Sequence, residues 1–189
     1  LVNTPNKLTL LRIILVPFFI LFLLWEQVPY HTLWALILFA VASFTDLLDG
    51  KIARRQDIVT NFGKFLDPLA DKVLVISGLI CFVQMGLVDA AAVIIIVARE
   101  FLVTSIRLVA ADNGHVIAAS GLGKLKTAFT MVAMVGIMFL CILAEFAVLP
   151  VGFPLVLVSE VLIWVAVVLT LISGIDYLVK NRACINTKK

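Results

Sequence analysis

The chain has 189 residues, 63% of them hydrophobic and only 14% charged, with a net charge of +3 and a mean hydropathy of +1.17. Those values exclude an ordinary soluble domain and indicate a polytopic membrane protein. The small positive charge suits an anionic membrane face or anionic substrates and selects neither; no nucleic-acid partner is expected.

Apolar runs long enough to cross a hydrocarbon core of roughly 30 Å fall at about residues 8–25, 32–48, 68–86, 90–111, 126–147 and 154–179. The expected fold is therefore all-α, with six transmembrane helices in a single membrane domain covering residues 1–189. Turn signals agree: Val28-Pro29-Tyr30 after the first run, Gly86 after the third, Asp112-Asn113-Gly114 after the fourth and Pro150 to Pro154 after the fifth. No short h-region with a cleavage site precedes the first run, which is read as an uncleaved span. Cys81 and Cys141 lie inside apolar runs and Cys184 in the tail, a spacing that suggests neither a metal site nor a disulfide.

The 15 Lys and Arg residues set the orientation. Gaps Glu26 to His31, Gly86 to Asp89 and Glu145 to Phe153 contain none, whereas the other side holds Lys7, Arg12, Lys51, Arg54, Arg55, Lys64, Lys124, Lys126, Lys180, Arg182, Lys188 and Lys189. By the positive-inside rule both termini face the cytoplasm, and the protein resides in the cytoplasmic (inner) membrane of a cell.

At the cytoplasmic ends of the second and third runs stand Asp46, Asp49, Gly50, Ala53, Arg54, Gly63, Asp67 and Asp71. Carboxylates among apolar helices are costly and are functional candidates by default. Asp46 and Asp49 are three apart and Asp67 and Asp71 four apart, so each pair shares one face of its helix. Two such faces brought together form an oxygen-rich negative pocket suited to hard divalent cations, Mg2+ or Mn2+. The bland alternatives are a set of helix-end charges or a cation-transport site. Gly50 and Gly63 allow close approach of a ligand to backbone, or equally close helix packing. Arg54 can pair with a motif carboxylate or a phosphate.

Written out, Asp46 to Asp71 reads D-L-L-D-G-K-I-A-R, eight residues, then G-K-F-L-D-P-L-A-D. This resembles the signature of the CDP-alcohol phosphotransferases, D-x2-D-G-x2-A-R-x8-G-x3-D-x3-D, at every fixed position, and the six-helix layout extends the resemblance over the whole chain. The resemblance implies transfer of a phosphatidyl or similar group from a cytidine diphosphate donor to an alcohol, with release of CMP. It implies that Asp46, Asp49, Asp67 and Asp71 bind metal, two ions per site, that Asp71 is also the general base, and that Gly50, Ala53, Arg54 and Gly63 meet the nucleotide and diphosphate. A homodimer is expected on the same ground.

Two further stretches bear on the acceptor. N-T-P-N-K-L-T-L-L-R resembles the opening of the phosphatidylglycerophosphate synthase branch, where Asn6, Thr9 and Arg12 would face the nucleotide; alternatively Thr4-Pro5 only starts a helix and Arg12 is a topology anchor. In A-R-E-F-L-V-T-S-I-R, Arg99 lies mid-span and needs a partner, either Glu100, another internal acid or an anionic substrate. Arg107 follows, and G-L-G-K-L-K-T opens the fifth helix with Lys124 and Lys126. This again resembles that branch, and four cations suit a phosphate-bearing acceptor. The reading is therefore transfer from CDP-diacylglycerol, drawn from the bilayer, to glycerol 3-phosphate. An inositol phosphate acceptor is the nearest alternative, serine a weaker one, and a divalent-cation transporter or a non-catalytic scaffold the alternatives from other classes.

Overall fold

The computed structural model describes the backbone of residues 4–56, 61–112 and 120–181, with side chains described for residues 10–45, 72–110 and 120–181. Among the described residues all regular structure is helical, in six helices: α1 Thr4–Leu24, α2 His31–Gln56, α3 Asn61–Gln84, α4 Ala90–Asp112, α5 Gly121–Glu145 and α6 Leu155–Lys180. Each overlaps one expected apolar run, four of the runs passing the end of their helix by one or two residues. By length and composition α5 and α6 are long and apolar enough to cross a membrane.

Three helices extend well beyond their apolar runs. α2 continues to Gln56 and α3 starts at Asn61, which brings residues 49–54 and 63–67 onto helix. Apolarity marks what hydrocarbon tolerates, whereas backbone hydrogen bonding continues through Lys, Arg and Gln, which are good helix formers. Likewise α5 begins at Gly121, where the Ser120 hydroxyl accepts from the Gly123 amide at 3.1 Å, an N-cap that satisfies one orphan donor of the first turn. Thr4-Pro5 does open α1.

The chain divides into two units, Leu1–Met85 with Val135–Phe153 and Gly86–Met134 with Pro154–Lys189. In the first unit α1 packs on α2 and α3 through Val16, Phe19, Leu23, Phe39, Leu74 and Phe82, all buried. In the second, α4 packs on α6. The buried stripe of α6 runs Ser159, Ile163, Ala166, Val167, Thr170, Ser173, Gly174, Tyr177, a helical period whose small residues let a neighbouring helix approach closely. The outward faces are apolar as well: Phe101, Leu108, Val132, Leu157 and Ile175 are each more than half exposed, as expected where the surrounding medium is lipid.

Turns follow the expected signals at residues 28–30, at Gly86 and at residues 150–154, while Asn113 and Gly114 of the remaining signal lie outside the described residues. Gly86 and Gly152 take positive φ, 70° and 83°, and Tyr30 and Ala147 do so without being glycine, at 58° and 52°. Left-handed backbone is strained for a Cβ-bearing residue. The Tyr30 ring stacks on Phe146 at 4.9 Å, an aromatic contact that offsets part of that strain.

Candidate active site

The eight motif positions fall where two helices of the first unit are closest in sequence. Positions 46 and 49 lie in α2 and positions 67 and 71 in α3, and the two helices touch. Only residues 57–60 join them, so the end of α2 and the start of α3 are at most about 18 Å apart. Spacings of three and four on continuous helix keep each aspartate pair on one face. Their side chains, with those of Gly50, Ala53, Arg54, Gly63, Asn6 and Thr9, lie outside the described residues. The donor set is all carboxylate oxygen, the chemistry that suits a hard divalent cation rather than a softer metal. Arg12 of α1 belongs to the same unit and is fully buried, which does not suit a mere topology anchor at a membrane surface.

The four cations proposed around the acceptor all lie in the second unit, and the structure separates them. Arg99 projects from the middle of α4, where its Nη1 donates to Glu100 Oε1 at 3.0 Å and its Nη2 donates to Ser173 Oγ of α6 at 2.7 Å. Lys126 Nζ of α5 donates to the same Glu100 oxygen. The side chains are 12%, 20% and 5% exposed for Arg99, Glu100 and Lys126. Of the partners that sequence left open for Arg99, Glu100 is the one found. Two cations and one carboxylate leave a net single positive charge, and Arg99 Nε is a buried donor without an acceptor among the described residues.

Lys124 and Arg107 are exposed. Lys124 and Lys126 are two apart, about 200° around α5, so the same helix turn buries one ammonium and exposes the other. The Arg107 guanidinium lies 5.5 Å from the centroid of the Tyr177 ring, a cation–π contact that orders a side chain at the unit's surface. Sequence reasoning passed over Ser173, Gly174 and Tyr177. Their signal was available as Ser, Thr and Gly recurring on one face of an otherwise apolar α6.

A family model described as CDP-alcohol phosphatidyltransferase matches residues 2–172, spanning both the aspartate helices and the cation cluster. The CDP-diacylglycerol--glycerol-3-phosphate 3-phosphatidyltransferase of Bacillus subtilis (strain 168) is 44% identical over 98% of this chain and 98% of its own length. Proteins of the same name from Rickettsia prowazekii (strain Madrid E), 38% identical over 96% of this chain and 95% of that protein, and from Escherichia coli (strain K12), 37% identical over 96% of each, are similar throughout. A match that runs through nearly every helix, together with a motif complete at each fixed position, makes the chain a member of the CDP-alcohol phosphatidyltransferase family.

Proposed function

We infer that the protein transfers a phosphatidyl group from CDP-diacylglycerol to glycerol 3-phosphate, giving phosphatidylglycerophosphate and CMP. The observation that carries this is the 44% identity over 98% of both chains to a relative named for that reaction. The intact motif adds that the chemistry's residues are present, which favours an enzyme over a transporter or scaffold.

Asp46, Asp49, Asp67 and Asp71 would hold one or, more in keeping with four carboxylates, two Mg2+ or Mn2+ ions; divalent-metal dependence is general in this family. When bound, such ions neutralise the diphosphate and stabilise charge on departing CMP. The remaining work belongs to the chain. A glycerol 3-phosphate hydroxyl attacks the phosphorus that carries diacylglycerol, its proton passes to the Asp71 carboxylate, and the phosphorus–oxygen bond to CMP breaks. Arg54 pairs with the diphosphate in a fork geometry. Gly50, Ala53 and Gly63 leave room for the nucleotide, and Asn6, Thr9 and Arg12 bind it from α1. Arg99, Arg107, Lys124 and Lys126 bind the acceptor phosphate, Arg107 and Lys124 from exposed positions and Arg99 and Lys126 from their shared contact with Glu100.

All six helices span the membrane in this reading, as one domain of residues 1–189, with both termini and the aspartates on the cytoplasmic side of a bacterial inner membrane. The tails of CDP-diacylglycerol stay in the bilayer while CMP and glycerol 3-phosphate exchange with the cytoplasm, and the protein forms a homodimer. The deciding experiment offers purified protein CDP-diacylglycerol and Mg2+ with glycerol 3-phosphate, inositol phosphate or serine in separate reactions and follows CMP release. Release with glycerol 3-phosphate alone, or fastest with it, is the expected result; faster turnover of inositol phosphate overturns the acceptor assignment.

A further inference from the structure

Glu100, Ser173 and Gly174 have no part in the chemistry just described, yet they determine where two of the acceptor cations sit. Arg99 is held from both sides: Glu100 accepts from Nη1 at 3.0 Å and the Ser173 hydroxyl from Nη2 at 2.7 Å. Ser173 in turn donates to the Thr170 carbonyl of its own helix at 3.3 Å, so its oxygen is oriented to accept. Gly174, the next residue of α6, supplies the space. A Cβ built there would lie 3.3 Å from Arg99 Cγ and 3.6 Å from Nε, and a guanidinium pinned at both ends has little freedom to move aside. Lys126 reaches the same carboxylate from α5. Residues of three helices thus fix one guanidinium and one ammonium about one oxygen.

A free arginine and a free lysine would each bind phosphate only after losing side-chain entropy, and a pair with no acid between them would repel in a low-dielectric setting. The carboxylate offsets the repulsion and, among the described residues, leaves one net positive charge. The serine and glycine remove the freedom. We propose that Glu100, Ser173 and Gly174 are positioning residues that present Arg99 and Lys126 as a preformed, singly charged seat for a phosphomonoester acceptor. The proposal rests on the reading of Arg99 as an acceptor-phosphate residue given above.

Gly174→Ala is the sharpest test, because local structure and positioning predict changes in different measurements. Alanine in place of a helical glycine raises helix propensity, so a purely structural role leaves the thermal midpoint the same or higher and the kinetics unmoved. Positioning requires the Michaelis constant for glycerol 3-phosphate to rise about three- to tenfold while that for CDP-diacylglycerol stays within about twofold. Ser173→Ala should act in the same direction and Ser173→Thr, which keeps the hydroxyl, should recover part of the loss. In an Arg99→Ala background Gly174→Ala should add nothing, since its effect passes through Arg99. If Arg99→Ala raises the acceptor constant but Gly174→Ala and Ser173→Ala do not, the positioning proposal is overturned and the acceptor reading stands. If Arg99→Ala leaves the acceptor constant unchanged, the acceptor reading of Arg99 fails and takes the proposal with it.

Discussion

The two units differ in the charged groups of their candidate sites, carboxylates in the first and chiefly cations in the second, and organise them differently on similarly apolar helices. In the first, four carboxylates are spaced along two consecutive helices at intervals of three and four residues, so that local helical geometry alone groups each pair. In the second, the cations come from α4 and α5 and divide: Arg99 and Lys126 share Glu100 and are largely buried, whereas Arg107 and Lys124 are exposed. An acidic set whose pattern holds four carboxylates and one arginine, Arg54, keeps net negative charge and calls for cations from outside. A basic set that already contains a carboxylate keeps only part of its charge for a substrate.

The strongest way to break this contrast is to remove what the carboxylates are held to bind. Chelation should abolish turnover and added Mg2+ or Mn2+ should restore it, measured as CMP release. Asp46→Asn, Asp49→Asn and Asp67→Asn should each cost about a hundredfold or more, the several kcal/mol that metal-assisted charge stabilisation supplies. Near-normal turnover in any one of them removes that residue from the ligand set. Asp71→Asn should lower the rate by about 10²- to 10⁴-fold, the range of general-base catalysis, while CDP-diacylglycerol binding measured directly survives better than rate. Equal collapse of both would make Asp71 chiefly a ligand.

The same contrast explains what the sequence made readable. The aspartate pairs could be placed on shared helix faces because both partners in each pair lie within four residues on one helix, and a helix repeats its faces at known intervals. The six helices were legible for a similar reason, since each shows as a long apolar run and turn signals separate most of them. Their ends were less so: apolarity stops near residue 48, while α2 continues to Gln56. The fate of Arg99 was open because choosing among Glu100, another internal acid and an anionic substrate depends on tertiary contacts. Glu100 adjoins it in sequence, but Ser173 is 74 residues away and Lys126 reaches Glu100 across 26. No periodicity within α4 encodes that meeting.

Within the second unit, the exposed and buried cations should separate in two measurements. Arg107→Ala or Lys124→Ala removes a charge-assisted hydrogen bond of about 1.5–3 kcal/mol, roughly a ten- to hundredfold rise in the Michaelis constant for glycerol 3-phosphate. Their thermal midpoints should hardly change, because exposed cations contribute little to folding. Lys126→Ala should raise the same constant and also lower the midpoint, since it strips one partner from a mostly buried carboxylate. If Lys124 and Lys126 variants behave alike in both measurements, burial has not divided the cations as described.

The smallest effect is expected at the other end of the first unit, about 27 Å along α2 from Asp49. There Glu145 of α5 accepts from the Thr32 amide at 3.3 Å, in the first turn of α2, and faces His31 Nε2 at 3.3 Å. His31 Nδ1 lies 3.2 Å from the Phe22 carbonyl of α1. One carboxylate therefore joins the start of α2 to the end of α5, favourably placed at a helix N-terminus where orphan amides collect, and it takes no part in the proposed chemistry. Glu145→Gln keeps an oxygen for the Thr32 amide and loses the charge opposite His31. A partly buried pair of this kind is worth about 0.5–1 kcal/mol, which for a chain of this size lowers the thermal midpoint by about 1–4 °C. Turnover at a temperature well below that midpoint should stay within about twofold of the parent. A large loss of rate at unchanged midpoint would mean that this end of α2 communicates with the aspartates, and that the first unit does not keep its structural and chemical charges apart.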